Sequence, residues 1–271
     1  MKKLSIVILL LLSVVTTHAQ SSCGVENKAF RSGEFLAYDL YFNWQFVWVK
    51  VGRATMSTVM STYDGKPAYR TSLVTGGNSK LDKFFTMRDT LVSYCSLSDL
   101  SPLYYRKGAL EGKRYYIDEL WYSYPGNGSH IKMHAQHADG THTGKEASFD
   151  KCVYDMMSIF LHARNLDAAK MKKGDIIPLA ITSATDMNDS WMEYKGKENY
   201  KIEGSNEKFR CLVFAFNERE NNKVTELIRF YVTDDDNHMP VRLDMNLSFG
   251  SAKAYLRSYK GLRNDVSSKL K

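Results

Sequence analysis

Apolar and polar residues alternate with a period of two along most of this 271-residue chain. The clearest example runs from Leu36 to Trp44, where every second residue is leucine, tyrosine, phenylalanine or tryptophan. Such alternation is typical of a strand with one buried face. Turn signals such as Asp64-Gly65 and Asp139-Gly140 separate the strand-like stretches, as in an antiparallel meander. The pattern therefore predicts two runs of antiparallel strands with one interruption between them.

The interruption runs from Asp150 to Leu166 and is the only convincing helix pattern in the chain. Asp155 stands near its start, where a carboxylate accepts backbone N–H groups, so we interpret it as an N-cap rather than a catalytic acid. Arg164 lies on the opposite side of the helix axis from Asp155, because residues of an α-helix are about 100° apart, so these two charges cannot pair. We predict a mainly β fold, a large antiparallel meander that forms a curved half-open barrel around one central helix at about 150–170.

The N-terminus predicts export. Two lysines precede an apolar run from Leu4 to Val15, which is shorter than the ~20 residues of a membrane span and is followed by small residues, as in a secretory signal peptide. We divide the chain into a signal peptide (1–19), an N-terminal segment (20–29), a single β-barrel-like domain (30–260) and a basic disordered tail (261–271). The mature protein is then expected in the periplasm of a Gram-negative bacterium, with no transmembrane span. A lipid anchor on Cys23 is the alternative, although Gln20 stands where a lipobox usually has an aliphatic residue.

Cysteine content and charge bear on the disulfides and on the classes of partner that the protein can have. In an oxidising compartment the four cysteines can form disulfides, and their three pairings cannot be told apart from sequence; they are Cys23, Cys95, Cys152 and Cys211. The formal charge of +7 is a mild excess of basic residues that alternate with acidic ones. This distribution argues against a nucleic-acid partner.

No catalytic constellation is evident. Four histidines crowd one short stretch, but strand alternation points His137 away from His130 and His134, so we predict no metal site. Ser158 and His162 are helical neighbours, yet no G-x-S-x-G motif, Walker motif or dinucleotide-binding glycine pattern is present. We therefore expect no cofactor, and we favour a protein that is not an enzyme.

Several short motifs occur in a characteristic order. They are Gly33-Glu34, Gly52-x-Ala54, Asp155-x-x-Ser158 with Arg164, Gly174-Asp175, Phe209-x-Cys211, and Asp235-x-x-His238-x-Pro240-Val241 followed by Gly250. On these motifs the chain, from about Phe30 to Tyr259, resembles the exported bacterial family catalogued as domain of unknown function 3108. His238 departs from the arginine expected at its position, which puts an anionic contact there in doubt.

The resemblance implies a half-open β-barrel wrapped around a helix, similar to envelope lipoprotein-carrier and capsule-associated lipoprotein folds, and it implies no assigned activity. It also marks five polar residues of the family motifs, to which we assign a structural role: Glu34, Asp155, Ser158, Arg164 and Asp235.

Aromatic residues are abundant, with 17 Tyr, 13 Phe and 4 Trp. They either fill a wide β core or leave an apolar groove beside the helix. The residues that we expect to line such a groove are Trp44, Trp48, Phe84, Trp121, Met157, Phe160, Leu161, Trp191 and Phe214. Our leading hypothesis is a non-enzymatic cell-envelope module that binds or carries an amphipathic or glycan-bearing ligand, such as an apolar or glycolipid-type molecule. The alternatives are a structural or assembly partner of an envelope protein and, third, a hydrolase of envelope sugars or lipids.

Overall fold

A computed structural model describes residues 23–44, 47–78, 86–126, 128–183, 186–220, 222–247 and 250–271. Fifteen strands, one α-helix and one 3₁₀ turn lie in these ranges. The strands before the helix are β1 (Glu34–Trp44), β2 (Val47–Tyr63), β3 (Lys66–Gly77), β4 (Met87–Ser96), β5 (Pro102–Glu111), β6 (Arg114–Ser123), β7 (Ser129–Gln136) and β8 (His142–Phe149). After helix α1 (Met156–Ala163) and the 3₁₀ turn Ala168–Lys170 come β9 (Ile176–Ser183), β10 (Asp186–Lys201), β11 (Lys208–Glu220), β12 (Lys223–Thr233), β13 (Pro240–Leu247), β14 (Gly250–Lys260) and β15 (Lys269–Leu270).

All strands belong to one antiparallel sheet. Its order is β8-β7-β6-β5-β4-β3-β2-β1-β14-β13-β12-β11-β10-β9, with β15 added beside β11. The two meanders predicted on either side of the helix are joined by pairing of β1 with β14. In the described part of the chain β8 and β9 remain edge strands, so the sheet is not closed. The predicted mainly β meander around a single helix is confirmed.

The sheet curls around α1. The helix packs against both β4 and β9, which are far apart in the sheet order. The edges also approach each other, because Thr182 of β9 donates a hydrogen bond to the sulfur of Met133 in β7 at 3.5 Å. The segment before the helix fills the remaining gap: Val153 N–H donates to Ser129 Oγ at 3.3 Å, and Tyr154 N–H donates to the carbonyl of Ala180 at 2.8 Å.

The helix is shorter than the predicted 150–170. Tyr154 forms a parallel β-bridge with Ile181 of the edge strand β9. The backbone before the helix is therefore extended and hydrogen-bonded to the sheet, so it cannot be helical. The predicted N-cap is confirmed, because the Asp155 carboxylate accepts the N–H groups of Met157 and Ser158, both at 2.8 Å, while Ser158 Oγ accepts the Asp155 N–H at 3.0 Å. This reciprocal pair is a capping box.

The tail at 261–271 is ordered, contrary to the predicted disorder. Lys269 and Leu270 pair with β11, and the buried Ser268 donates to the Asp235 carboxylate at 2.6 Å. The reason is that Leu262 and Val266, spaced among charged residues, pack against the core. The basic composition of the segment masked this apolar pair.

One disulfide, Cys23–Cys152, joins the N-terminal segment to the segment before the helix. Cys95 and Cys211 are buried free thiols. The disulfide and a lipid thioether would use the same Cys23 sulfur, so the two modifications exclude each other.

At Gly52 the backbones of β2 and β3 approach each other closely. A Cβ atom there would lie 2.3 Å from the carbonyl oxygen of Gly76. The register between β1 and β2 also shifts beside it, because Leu40 pairs with Gly52 and Tyr41 with Lys50, which leaves Val51 as the extra residue of a bulge.

Candidate functional site at the far end of the sheet

The helix occupies one end of the curled sheet. In β4, Ser93 donates to the Asp155 carboxylate at 3.3 Å and Cys95 clusters with Leu161, so the C-terminal part of β4 lies at the helix end. Met87 and Asp89 therefore lie at the opposite end, which we call the far end. Side chains alternate between the faces of a strand, so Asp89 and Leu91 share the helix-side face with Ser93.

A group of polar side chains occupies the helix-side face at the far end. Strand register places Asp89 opposite Ala109 and Ala109 opposite Tyr116, while Lys107 lies opposite Asp118 in the neighbouring row. Glu111 lies two residues beyond Ala109 on the same face. We call this set the polar wall: Asp89, Lys107, Glu111, Tyr116 and Asp118.

Hydrogen bonds connect part of the polar wall. The Lys107 ammonium donates to the Tyr116 hydroxyl at 3.0 Å, and that hydroxyl donates to Glu111 Oε1 at 2.6 Å. Lys107 Nζ is also 3.8 Å from Glu111 Oε1. The Lys107 side chain is only 23% exposed, so this charge is largely withdrawn from solvent.

The two aspartates of the polar wall are partly buried. Burial raises the pKa of Asp89 and the charge of Glu111 raises it further, while Lys107 and hydrogen bonds from the Thr75 side chain and the Leu110 backbone lower it. Burial also raises the pKa of Asp118, against the charges of Lys107 and His137. Within the described ranges, Asp89 Oδ1 is shielded from solvent and has no hydrogen-bond partner.

A line of tyrosines continues from the polar wall toward the helix. Asp118, Leu120 and Tyr122 share one face of β6, and Tyr122 is 9% exposed. Its hydroxyl finds no hydrogen-bond partner in the described part of the chain. The pKa of Tyr105 is raised by burial and by the charges of Asp155, Asp118 and, more weakly, Asp89, so its side chain lies between the helix start and the polar wall.

The helix-side face of the strands on the other side of the sheet is apolar. The helix-side face can be followed from β4 to β1 by strand register. Asp89 lies opposite Thr75, Thr75 opposite Ala54, and Ala54 opposite Tyr38. Two residues beyond Tyr38, Leu40 begins a row of apolar cross-strand partners that we call the apolar wall: Leu40, Ala254, Leu243, Phe230 and Phe214. Leu40, Leu243 and Phe230 are only partly buried, as is Leu73, which lies between Met56 and Leu91 on the same face of the sheet.

The structure distributes the predicted groove residues over several surfaces. Phe214 belongs to the apolar wall and is buried in a core cluster with Ala168 of the 3₁₀ turn. Met157, Phe160 and Leu161 pack into two core clusters at the helix end. Two tryptophans face away from the helix, because Trp121 contacts the Tyr104 ring at 5.6 Å and Trp48 contacts the Lys253 ammonium at 4.1 Å.

Trp191 of the predicted set lies under the Arg219 guanidinium, at 5.2 Å. Phe84 and the side chain of Trp44 lie outside the described residues. Sequence reasoning missed the polar wall, because its charges sit at scattered positions that only strand register brings together.

The polar family-motif residues form a separate structure at the helix end. Arg164 donates to both carboxylate oxygens of Glu34, at 2.5 and 2.9 Å, and twice to the carbonyl of Asn237, at 3.1 and 3.0 Å. Both side chains of the pair are 1% exposed. The Asp235 carboxylate accepts hydrogen bonds from Thr233, Asn237 and Ser268, and His238 Nδ1 contacts the Arg164 carbonyl oxygen at 2.6 Å. We call Glu34, Arg164, Asp235 and Asn237 the polar node.

Neither the histidines nor Ser158 form a recognisable reactive centre. His134 contacts Glu119 at 3.1 Å and His142 at 2.9 Å, on the face that points away from the helix. No group of three or more His, Cys, Asp or Glu in the described ranges is arranged to hold a metal ion. Ser158 Oγ is held by the Asp155 backbone and His162 Nε2 contacts the Tyr154 hydroxyl at 3.3 Å, so the two do not form a nucleophile–base pair.

Comparison with known proteins places this fold in a family. The family model described as protein of unknown function DUF3108 matches residues 37–257. The chain belongs to the DUF3108 family. No curated protein matches the sequence.

Among solved structures, a β-barrel-like DUF1849 protein from Brucella abortus superimposes on this DUF3108 chain with a TM-score of 0.54. The sequence identity is 10%, and the match covers 86% of this chain and 99% of the other. At this identity the likeness shows the fold alone, and it confirms the barrel-like architecture. No helix in the described residues has the length and apolar character needed to cross a membrane.

Proposed function

We propose that this DUF3108 protein is an exported, non-enzymatic module that binds or carries an amphipathic ligand at the far end. One observation carries the proposal: the helix-side face is polar on β4–β6 at the far end and apolar on β1 and β11–β14, in one continuous cross-strand surface. A molecule with an apolar chain and a polar head matches both halves.

The two walls favour different parts of such a ligand. The partly exposed side chains of the apolar wall can cover an apolar chain, and each buried CH₂ contributes about 0.8 kcal/mol. The polar wall offers fixed hydrogen-bonding groups, which give orientation and specificity in sites that are otherwise apolar. The helix end is sealed by packing and by the polar node, so the far end is where we place the ligand.

Export is part of the proposal. The signal-like N-terminus supports it, and so does the Cys23–Cys152 disulfide, because disulfides persist in oxidising compartments. We place the mature protein in the periplasm of a Gram-negative bacterium. The disulfide favours the form without a lipid on Cys23.

The binding test uses purified, oxidised protein and the neutral apolar dye N-phenyl-1-naphthylamine. Leu73 and Val74 are adjacent in β3 but lie on opposite faces, which makes them a matched pair. Leu73→Gln should weaken dye binding about tenfold, because a lost leucine contact of about 1.5 kcal/mol corresponds to that factor. Val74→Gln, on the face that points away from the helix, should leave dye binding unchanged.

A second arm examines the protein as it comes from cells. Native mass spectrometry of protein purified without detergent should detect a bound molecule of lipid-like mass. If the protein arrives empty and the dye does not bind, the proposal is wrong.

The edge strand β8 favours a second candidate function, assembly with an envelope protein. In the described part of the chain β8 pairs only with β7, and most of its side chains are exposed. An unpaired edge can accept a strand from a partner. Photo-crosslinking from Lys145 in cells should then capture one dominant envelope protein, and a diffuse pattern would contradict this function.

A further inference from the structure

Large apolar side chains are exposed on one part of the far end. Strand β2 begins there with Val47, Trp48 and Val49, and β13 ends there with Leu247, and all four are exposed. Single exposed apolar residues are common on protein surfaces, whereas a contiguous exposed patch marks an interaction site.

Two other turns at the far end are polar. They are Glu111-Gly112 between β5 and β6 and Asp139-Gly140 between β7 and β8. Polar residues and glycine are the usual residues of such turns. Exposed apolar side chains are therefore not a general property of the far-end turns, but belong to the strand ends of β2 and β13.

The exposed apolar side chains are contiguous with each other and with the apolar wall. Val49 lies opposite Phe42, and Leu247 lies opposite Gly250. The Phe42 ring lies over Gly250, where a Cβ atom would be 2.8 Å from it. Phe42 also follows Leu40 of the apolar wall by two residues, on the same face of β1. We call the following residues the apolar rim: Phe42, Val47, Trp48, Val49 and Leu247.

Basic side chains lie behind the apolar rim. Lys50 and Lys253 both lie opposite Tyr41, on the face that points away from the helix. Arg53 lies on the same face, and the Asp39 carboxylate contacts Lys50 at 2.7 Å and Arg53 at 3.5 Å. Three basic side chains therefore surround one carboxylate, which leaves this surface positively charged.

Trp48 and Lys253 lie together, with the ammonium group 4.1 Å from the ring centroid. Asp244 is the cross-strand partner of Lys253, but its carboxylate is paired with Arg242 at 2.6 Å, so it does not neutralise Lys253. Tryptophan and lysine are the residues that anchor proteins at the level of lipid head groups.

The order of residues along the strands matches the layers of a membrane surface. Val47 precedes Lys50 by three residues, and Gly250, which is level with Leu247, precedes Lys253 by three residues. At about 3.3 Å per residue, each lysine lies about 10 Å behind the apolar residues at the strand ends. Apolar surfaces of peripheral membrane proteins enter the boundary between head groups and acyl chains by about 5–10 Å. The lysines would then lie at the phosphate groups.

We propose that the apolar rim docks on the surface of an anionic lipid bilayer, with Lys50 and Lys253 at the phosphate groups. The inference rests on the proposed function in one respect, because docking brings the apolar wall next to the leaflet that supplies an amphipathic ligand. The apolar surface is continuous from the rim through Phe42 to Leu40, so an acyl chain could pass along it without crossing water.

The test measures binding of the purified, oxidised protein to lipid vesicles by flotation at low ionic strength. Mixed vesicles of phosphatidylcholine and phosphatidylglycerol should bind the protein at least tenfold more tightly than vesicles of phosphatidylcholine alone. The reason is that each lysine near an anionic surface contributes about a fivefold factor. Added salt should reduce this preference, because it screens the charges.

Two double variants change apolar side chains of matched exposure. Val47→Gln with Leu247→Gln alters the apolar rim, where the side chains are 62% and 39% exposed. Met60→Gln with Val59→Gln alters β2 near the helix end, where they are 61% and 38% exposed. Binding to mixed vesicles should fall about tenfold in V47Q/L247Q, because the exposed parts of two aliphatic side chains contribute about that factor when they leave water. It should stay unchanged in V59Q/M60Q, and urea unfolding should show that both variants are folded.

A charge variant tests the basic residues separately. Lys253→Gln should weaken binding to mixed vesicles about fivefold and leave binding to neutral vesicles unchanged. Lys132→Gln is the control, since Lys132 is an exposed lysine of β7, away from the rim. It should change neither.

The outcomes separate docking from the proposed function. If the folded wild-type protein binds neither kind of vesicle, or if V59Q/M60Q loses as much binding as V47Q/L247Q, docking is wrong, and binding of the dye still supports the proposed function. A wild-type dimer that V47Q/L247Q dissociates, without vesicle binding, would also overturn docking, because a second copy would then cover the rim. Rim-dependent vesicle binding by a protein that does not bind the dye would support docking and contradict the proposed function.

Discussion

The buried pair of Glu34 and Arg164 should be essential for stability, and Arg164→Met tests this. The substitution removes four hydrogen bonds, two to the Glu34 carboxylate and two to the Asn237 carbonyl oxygen. It also leaves the carboxylate in a site where it was 1% exposed. Breaking a buried pair from one side costs about 3–5 kcal/mol, because the remaining charge is uncompensated.

A separate argument gives a similar magnitude. Without Arg164, the buried Glu34 carboxylate can lose its charge by taking up a proton. An ordinary glutamate with a pKa near 4.3 costs about 4 kcal/mol to protonate at pH 7. The free energy of unfolding should therefore fall by about 3–5 kcal/mol, which for a chain of this size lowers the melting temperature by roughly 6–20 °C.

The assay is urea unfolding at pH 7, followed by tryptophan fluorescence. Arg219→Met is the matched control, since Arg219 is 53% exposed and its partner Asp189 is 67% exposed. Exposed pairs contribute about 0–1 kcal/mol. The double variant Glu34→Leu with Arg164→Met should recover much of the loss, because it removes both charges from the buried site. The reasoning is refuted if R164M costs no more than R219M.

Three further predictions concern cysteine and histidine chemistry. Replacing Cys23 and Cys152 together by serine should lower the free energy of unfolding by about 2–5 kcal/mol in the same assay, because the bond constrains a loop of 129 residues in the unfolded chain. Cys95 and Cys211 should not react with Ellman's reagent at pH 8 until urea is added, since burial raises the pKa of both thiols, that of Cys211 to about 12; rapid reaction of the native protein would contradict this. Burial lowers the pKa of His162 in the folded protein below its unfolded value of 6.5. Between the folded and unfolded pKa values the unfolded state binds more protons. The stability contributed by neutral His162 is therefore lost as pH falls through that window. The pH dependence between 7 and 5 should thus be weaker in His162→Gln, and an identical slope would refute this assignment.

Local features were predictable from the sequence because they depend on neighbouring residues. The Asp155 cap requires only a carboxylate and free N–H groups within one turn, and the alternation that predicts the strands is read within each strand. The helix length was wrong because a contact remote in sequence decided it, the bridge from Tyr154 to Ile181. The order of the tail was missed for the same reason, since β11 supplies its pairing partner.

The polar node shows a different limit. The sequence predicted that Arg164 cannot pair with Asp155, and the structure gives Arg164 another partner, Glu34, 130 residues away. Helical geometry can exclude a local pair, but it cannot name a remote one. The polar wall could not be predicted from the sequence for the same reason. Lys107 and Asp118 resemble ordinary surface charges, and only strand register shows that they share the helix-side face.

The two ends of this sheet differ in how strongly their side chains contribute to stability. The disulfide, the polar node, the ordered tail and the capped helix all lie at the helix end, and each links segments that are distant in sequence. The far end instead carries the shielded Asp89 Oδ1, which has no hydrogen-bond partner in the described ranges, and partly exposed side chains of the apolar wall. Buried polar groups without partners cost stability, so a fold can keep them only where other interactions supply a surplus. The interactions at the helix end stabilise the fold enough to tolerate such a group elsewhere. We therefore look for the ligand at the far end, where the shielded polar atom and the partly exposed apolar side chains do not themselves add to stability.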